Sequence, residues 1–298
     1  MDTGTAILVG YMLLFLAFVA GTLVWRRHSR KERKPFPDHL KLLRGPGESQ
    51  RQRLAQLEEA TLNRFLLAFL VPVAVGLALL WITTRLTGAA QLIGLIVTGL
   101  GLLASMGAVA RLLAARIEEW RNRYLGYFGE RVVAEALDPL KTHGFRVFHD
   151  VPAGDAKAPF NIDHVVAGPS GVFAIETKTR RKGSTRAGFA EHEIIFDGEK
   201  LLYPWGEDRH GLDQAQRHAR WLEQWLSQLL GQRVPVKPVL TFPGWTVVQQ
   251  ARGPIEVLAP RQIPALVAAP GESAAPLSRD QLDLVAHHLE DRCRDVEF

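Results

Sequence analysis

The sequence predicts a mixed α/β domain preceded by three transmembrane helices, and two features of the chain lead to this fold class. Three long apolar runs occupy the N-terminal part of the 298-residue chain. After them, short apolar runs typical of β-strands follow one another between longer segments with helical periodicity. A chain of this length is sufficient for one or two domains with buried cores.

The apolar runs are residues 5–25, 65–84 and 88–114, and each is at least as long as the ~20 residues that a bilayer-spanning helix needs. The alternatives are buried core helices or, for the first run, a cleaved signal peptide. A signal peptide carries its positive charge before the apolar run. Here only Asp2 precedes the run, and a basic block follows it. We therefore predict three membrane spans.

Basic residues predict the orientation of these spans. Residues 26–34 contain six Lys or Arg directly after the first run, and Arg116, Arg121 and Arg123 follow the third, whereas Arg85 alone separates the second from the third. This distribution predicts a multi-pass protein of the inner (plasma) membrane, with the lipid bilayer as a partner and the α/β domain in the cytoplasm. The same residues account for much of the net charge of +5, so charge alone does not indicate nucleic-acid binding.

The chain is expected to fall into five parts. They are transmembrane helix 1 (residues 1–25), a cytoplasmic basic linker with a polar helix (26–64), transmembrane helices 2 and 3 (65–115), the α/β domain (116–260), and a linker with a C-terminal helix (261–298). The helix predicted for residues 116–140 either continues from the third span or breaks at Gly126 or Gly129. The GPGES stretch at residues 45–49 lacks the spacing of a phosphate-binding loop and indicates a turn and a helix start. The single cysteine, Cys293, excludes an intrachain disulfide and a cysteine zinc cluster.

Two apolar strands in the middle of the domain carry acidic and basic residues. If residues 168–171 form the turn between them, Ala167 opposes Val172, and two pairs further on Asp163 opposes Glu176. Lys178 lies two residues beyond Glu176 and therefore points to the same face. A salt bridge on a solvated sheet face is the alternative interpretation. The apolar neighbours favour buried strands instead, in which unpaired carboxylates are unfavourable.

Two carboxylates beside a lysine are what a metal-dependent phosphodiesterase needs. Carboxylate oxygens bind hard divalent cations such as Mg²⁺ or Mn²⁺. The cation and the lysine together stabilise the charge that develops on the phosphate. The strand pair therefore predicts a metal site at Asp163 and Glu176, with Lys178 beside it.

At this point the chain resembles a known family. Residues 125–247 are similar to the nuclease-related domain, NERD, a branch of the PD-(D/E)xK restriction-endonuclease-like superfamily. The resemblance is carried by five features in order, namely Gly129-Glu130, Ile162-Asp163-His164, Gly171-Val172-Phe173, Ile175-Glu176-Thr177-Lys178, and Gln214 followed by VLTFPG at residues 239–244. It implies a restriction-endonuclease-like mixed sheet flanked by helices.

The resemblance also implies roles for individual residues. Asp163 and Glu176 match metal-binding acids, with the Thr177 carbonyl as a further ligand, and Lys178 matches the catalytic lysine. Glu130 matches an acid of the first helix that completes the metal site or holds its water, the alternative being an exposed helix acid. Gln214 matches a glutamine that contacts substrate or lysine. The residues before it, HGLD, depart from the Asn-Pro of the family and put the placement of Gln214 in doubt.

Three further groups of residues have competing interpretations. Arg180, Arg181 and Lys182 begin a basic loop that either contacts phosphates or is merely solvated. His218 is expected at the edge of a packing face with the tryptophans that follow it, although aromatic side chains also stack on bases. His164 should point away from Asp163, to the opposite face of its strand.

The predicted function is that of a membrane-anchored, cytoplasm-facing nuclease that hydrolyses phosphodiester bonds with Mg²⁺ or Mn²⁺, and acts on DNA rather than RNA by analogy with the family. The alternative is a non-enzymatic, membrane-tethered module that uses the same fold to bind nucleic acid or a protein. The complete set of Asp163, Glu176 and Lys178 favours the enzyme.

Overall fold

The computed structural model describes residues 40–269 and 277–297, together with isolated positions between 10 and 25. For residues 59–71 it describes the backbone alone. The first predicted span and the basic linker as far as residue 39 therefore lie outside the continuously described residues. Residues 41–57 and 119–297 form one compact unit that contains the α/β domain, and residues 58–118 belong to a second unit.

Two long helices precede the sheets, α1 (Glu48–Thr83) and α2 (Ala89–Lys141). The predicted polar helix and second span form the single helix α1. The third span and the first helix of the domain form the single helix α2, which runs through Gly126 and Gly129 without a break. Side-chain polarity changes along each helix, but the backbone hydrogen bonds do not depend on it. An isolated glycine costs a helix only about 1 kcal/mol relative to alanine.

Among the described residues, one helix rather than three is long and apolar enough to cross a membrane. This helix is α2, and its apolar window is 6% buried. A shorter apolar stretch, Pro72–Thr83, lies at the end of α1. The apolar side chains of α2 include Leu92, Leu100 and Leu103, which are all mostly exposed. The described part of the chain therefore supports one candidate span, and the three-span arrangement is not shown.

The domain is built on a mixed five-stranded sheet, as predicted. Its order is β10-β8-β4-β3-β2, with β2, β3 and β4 antiparallel and β4, β8 and β10 parallel. A separate four-stranded sheet has the order β7-β6-β5-β9, and β1 pairs with β11 in a two-stranded sheet. The strands are β1 (Leu42–Leu43), β2 (Arg146–Ala153), β3 (Phe160–Gly168), β4 (Gly171–Thr177), β5 (Glu193–Phe196), β6 (Leu201–Tyr203), β7 (Gly206–Asp208), β8 (Val236–Thr241), β9 (Thr246–Gln249), β10 (Glu256–Leu258) and β11 (Arg294–Val296).

Helices cover both faces of the five-stranded sheet. The helices of the domain's C-terminal part are α3 (His210–Leu230), α4 (Ile263–Ala268), which follows a short 3₁₀ turn, and α5 (Arg279–Cys293). Val165 and Ala174 pack with α3 and α5 on one face, while Val166 and Phe173 pack with α2 and α4 on the other. This alternation follows from the period of two in a strand. Every residue of β4 is buried, so β4 is the centre of the domain.

Residues 41–57, which include the N-terminal end of α1, are part of this domain, although they were expected in the separate linker and polar helix of residues 26–64. Arg44 donates hydrogen bonds to Asp150 on β2 and to Asp295 on β11. The side chain of Ser49 donates to the same Asp150 carboxylate. At the other end of the chain, Ser278 and Gln281 form the predicted capping box at the start of α5. Residues on both sides of the resemblance at 125–247 thus contribute to the domain.

Gly129 provides a test of how closely α2 packs on the end of β4. A Cβ atom at Gly129 would overlap the Cγ2 of Thr179, whereas a Cβ at Gly126, one turn earlier, would meet Gln50 at an ordinary 3.8 Å. We expect Gly129→Ala to lower the free energy of unfolding by about 1–3 kcal/mol, because of overpacking.

The matched variant Gly126→Ala should instead be neutral or stabilising by up to about 1 kcal/mol, because alanine favours the helix. Urea unfolding of the full chain, followed by tryptophan fluorescence, measures both. Equal effects of the two substitutions would contradict the close contact.

Candidate active site

Strands β3 and β4 bring the predicted acids together at one end of the sheet. The register pairs Ala167 with Val172 and Val165 with Ala174, which confirms the predicted pairing. Beyond the last ladder pair, the Asp163 carboxylate accepts a hydrogen bond from the Thr177 backbone N–H at 2.7 Å. Asp163 therefore lies next to the chain segment that carries Glu176 and Lys178.

The carboxylate of Glu176 is the most buried charge of the site. Its side chain is 2% exposed, with Lys178 Nζ 2.6 Å from Oε1 and His218 Nδ1 2.9 Å from Oε2. Burial pushes the pKa of Glu176 up, but the contacts with His218 and Lys178 outweigh burial and hold this pKa below its ordinary value. Glu176 is therefore ionised, and a nitrogen atom of Lys178 or His218 lies close to each of its oxygens.

Lys178 connects the strand to helix α3. Its Nζ donates to Glu176 and to the Gln214 side-chain oxygen, at 2.8 Å, so the unusual residues before Gln214 do not displace it from the site. The helix approaches this closely because Gly211 has no side chain: a Cβ there would lie 3.4 Å from Lys178 Cγ and 3.2 Å from Leu240. Glu176 and Gln214 thus both accept hydrogen bonds from the ammonium group of Lys178.

Asp163 and Glu130 have the opposite electrostatic environment. Burial, and then the carboxylates of Glu176 and Glu130, raise the pKa of Asp163 well above its ordinary value. Burial, and then Asp150 and Glu176, raise the pKa of Glu130 to about 8. Glu130 is 6% exposed, so it is not the exposed helix acid of the alternative interpretation. The site therefore contains more carboxylates than positive charges can balance.

The GPGES stretch, predicted only as a turn and a helix start, contacts this site. The backbone N–H of Gly47 donates a hydrogen bond to Glu130, whose Oε2 is buried without a partner. Gly47 has φ of 70° and packs so closely on Tyr127 that a Cβ would lie 2.7 Å from its ring. Only glycine adopts this conformation without strain. The contact joins distant parts of the sequence, which gave no local signal for it.

His218 is the residue of the candidate site that sequence reasoning missed. It was expected at the edge of a packing face, but its ring is 6% exposed and contacts Glu176. The ring also stacks on Phe160, with centroids 4.6 Å apart. The available signal was its spacing of four residues from Gln214, which places both side chains on the same face of α3.

The oxygen donors suit a hard cation, but they are not arranged as a finished binding site. Among the described residues, no group of three or more His, Cys, Asp or Glu side chains is spaced to hold a metal ion. Lys178 and His218 lie on the two oxygens of Glu176. Holding a cation would require Glu176 to share or release one of them. The unpartnered Glu130 oxygen and the raised pKa of Asp163 are the features that fit a cation nearby.

The basic loop after β4 is partly engaged within the domain. The carbonyl of Arg180 accepts a hydrogen bond from Trp245, and its guanidinium lies 3.9 Å from Asp208. Lys182 Nζ lies 5.8 Å from the centre of the Trp245 ring. Arg181 is exposed on the same loop. A role of this loop in phosphate binding stays a prediction.

His164 pairs with a second histidine. Its Nδ1 lies 2.9 Å from Nδ1 of His149 on β2. One ring must donate the hydrogen bond and the other accept it, so the accepting ring carries no proton on Nδ1. Burial agrees with this, because it lowers the pKa of His164 well below its ordinary value and that of His149 to about 4. The structure thus gives His164 a partner other than the site's carboxylates.

The pKa of about 8 at Glu130 predicts how stability depends on pH. Between the ordinary carboxyl pKa and about pH 8, the folded chain keeps a proton that the unfolded chain has released, so this residue lowers stability as pH rises through that window. Glu130→Gln keeps an acceptor for Gly47 and removes the charge. The variant should gain on the order of 2 kcal/mol relative to the unsubstituted chain between pH 5 and pH 8.5.

Urea unfolding at the two pH values measures this gain. Glu135→Gln, which alters an exposed acid on the same helix, is the matched control and should change stability by less than about 0.5 kcal/mol at either pH. A Glu130→Gln effect that is the same at both pH values would contradict the raised pKa.

Comparison with known proteins gives one structural likeness and one family. No curated protein matches the chain. A solved structure, that of Pyrococcus furiosus SfsA in complex with Ca²⁺, aligns with 57% of this chain at 14% sequence identity and a TM-score of 0.21. The alignment spans 54% of that protein's chain, and a likeness of this size carries no argument about function.

The family match covers the part of the chain that carries the site. It includes Glu130, both strands with Asp163, Glu176 and Lys178, and the helix with Gln214 and His218. Residues 125–243 match the family described as NERD, the nuclease-related domain, and the chain therefore contains a nuclease-related domain.

Proposed function

We propose that this domain hydrolyses phosphodiester bonds in nucleic acid and depends on Mg²⁺ or Mn²⁺. The observation that carries the proposal is the convergence of Asp163, Glu176 and Lys178 where β3 and β4 meet, with Lys178 Nζ held 2.6 Å from Glu176 Oε1. The nuclease-related domain at residues 125–243 supports a nucleic-acid substrate in general. DNA rather than RNA follows from family analogy alone.

Each residue of the site has a defined task in this proposal. Asp163 and Glu176 would hold the cation, and Glu130 would complete the oxygen donors. A bound Mg²⁺ or Mn²⁺ supplies positive charge that stabilises the charge developing on a phosphate. Lys178 would donate to a phosphate oxygen or orient the attacking water.

Two residues on α3 would position these groups. Gln214 limits how far the Lys178 ammonium can move, since the two are hydrogen bonded at 2.8 Å. His218 keeps Glu176 ionised and orients it, because its Nδ1 lies on the second oxygen of that carboxylate. Both side chains belong to a packed helix, which fixes the positions of their Cα atoms.

We further propose that the domain is tethered to the inner membrane and faces the cytoplasm. Support comes from the exposed apolar window of α2 and from Arg116, Arg121 and Arg123, which follow it on the same helix. The additional spans at residues 5–25 and 65–84 belong to this proposal.

The test is a cleavage assay on the full chain in detergent micelles. A fragment that starts at residue 116 would lack residues 41–57, which contact Glu130 and Asp150. Labelled single- and double-stranded DNA and RNA are incubated with Mg²⁺, Mn²⁺ or a chelator. We expect metal-dependent cleavage, reduced by at least about 100-fold in Lys178→Ala and in Asp163→Asn.

Lys157→Ala alters an exposed lysine in the turn between β2 and β3, and serves as the matched control that keeps full activity. Cleavage that survives both site substitutions would show that the site is wrong. A folded chain that binds Mn²⁺ and nucleic acid without cleaving it would favour the non-enzymatic binding module.

A further inference from the structure

A second surface of α3, beside the candidate active site, forms an open groove of about 760 Å³. Its walls are the first three turns of α3, the turn between β5 and β6, and residues 251–255. Four arginines line it, and we call it the arginine groove. They are Arg209, Arg217, Arg220 and Arg252.

Three of these arginines lie along one stripe of the helix. Arg209 immediately precedes α3, and Arg217 and Arg220 follow at spacings of eight and eleven residues, which place them about 80° and about 20° from the direction of Arg209 around the helix axis. The stripe is roughly 16 Å long, the rise of about five nucleotides of one strand in a duplex. Arg252 faces it from the other wall. The arginines therefore extend along the groove and do not cluster at a single position.

All four arginines of the groove are exposed, and within the described part of the chain none of their guanidinium groups forms an ion pair. Elsewhere in the domain arginines are engaged: Arg186 donates to backbone carbonyls and Arg292 donates to Pro152. Free guanidinium groups bind phosphate oxygens in a bidentate manner.

Three carboxylates share the groove, those of Asp197, Glu199 and Asp213, so its net charge is +1. Asp197 accepts hydrogen bonds from the backbone N–H groups of Glu199 and Lys200 and thereby stabilises the β5–β6 turn. The apolar lining residues Phe196, Leu212 and Ile255 are at most 4% exposed and offer little surface. The groove therefore suits a charged ligand rather than an apolar one.

The groove adjoins the site through helix α3. Gln214 contacts Lys178, and His218 contacts Glu176, from one side of this helix. Asp213 precedes Gln214 and Arg217 precedes His218 in the sequence, and both of these neighbours line the groove. Gly211, two residues after Arg209, packs on Lys178 itself. A strand bound along the groove would thus pass the end of α3 that holds the lysine.

We propose that the arginine groove binds the phosphate backbone of the nucleic-acid strand on which the candidate site acts. This inference rests on the proposed function and adds a substrate-binding surface outside the site itself. Backbone contacts of this kind position a strand without reading its sequence. The acids of the groove keep the attraction moderate, so that binding depends on several arginines together.

The test is the binding of a fluorescent 20-nucleotide strand to the full chain in detergent micelles with chelator, so that no cleavage occurs. We expect the double substitution Arg217→Gln, Arg220→Gln to weaken binding by about tenfold, and to reduce the magnitude of the slope of log K against log salt by roughly 1.4, which is two phosphate contacts of a single strand. Arg261→Gln, Arg279→Gln removes two exposed arginines elsewhere in the domain and should change binding by less than about twofold.

Asp213→Asn should change the affinity in the opposite direction and tighten binding by about twofold, because it removes a negative charge from the groove. Unchanged or weaker binding by this variant would count against a phosphate ligand. Equal losses in the two arginine pairs, or no binding by the unsubstituted chain, would overturn the proposal. Because binding is read without metal, these outcomes are independent of whether the chain cleaves nucleic acid.

Discussion

A single buried carboxylate, that of Glu176, determines how the surrounding residues are arranged. It lies on the central strand of the sheet, where an unpaired charge would be unfavourable by several kcal/mol. Lys178 from the same strand and His218 from α3 stabilise it, one on each oxygen. Helix α3 must therefore pack with its Gln214 and His218 face toward β4, and glycine at position 211 permits the approach. The architecture around the site follows from the need to stabilise this charge.

The nearby acids have no such partners, and this difference gives the site its chemical character. Glu176 is ionised, whereas burial and neighbouring carboxylates raise the pKa values of Asp163 and Glu130. Carboxylates with opposite pKa shifts in one site are a common arrangement where protons or cations are handled. The two oxygens of Glu176 each lie close to a nitrogen of Lys178 or His218, whereas Oε2 of Glu130 is buried without a hydrogen-bond partner.

Local sequence patterns were sufficient to predict the strand pair, and the reason is geometric. A Gly-Pro-Ser-Gly turn and a period of two leave one register for two apolar strands, and this register is the one observed. His218 was missed because helix periodicity already explains an apolar face containing it. The contact of Gly47 with Glu130 could not be predicted, since the two residues meet only through the fold. Hydropathy windows likewise divided α1 at a change of polarity and left open whether α2 continues past its apolar part, because the backbone hydrogen bonds of a helix do not depend on side-chain polarity.

The short pairing of β1 with β11 has a consequence for biosynthesis. Leu42 pairs with Val296, and Arg44 bridges to Asp295 and to Asp150 on β2, so the domain joins residues from both ends of the described chain. Contacts between residues so far apart in sequence form late and slowly. A ribosome that has released the two long helices and all five strands of the main sheet still holds the residues that complete the domain. Strand β1 therefore stays unpaired until residues 294–296 emerge, whereas the contact of Ser49 with Asp150 can form earlier.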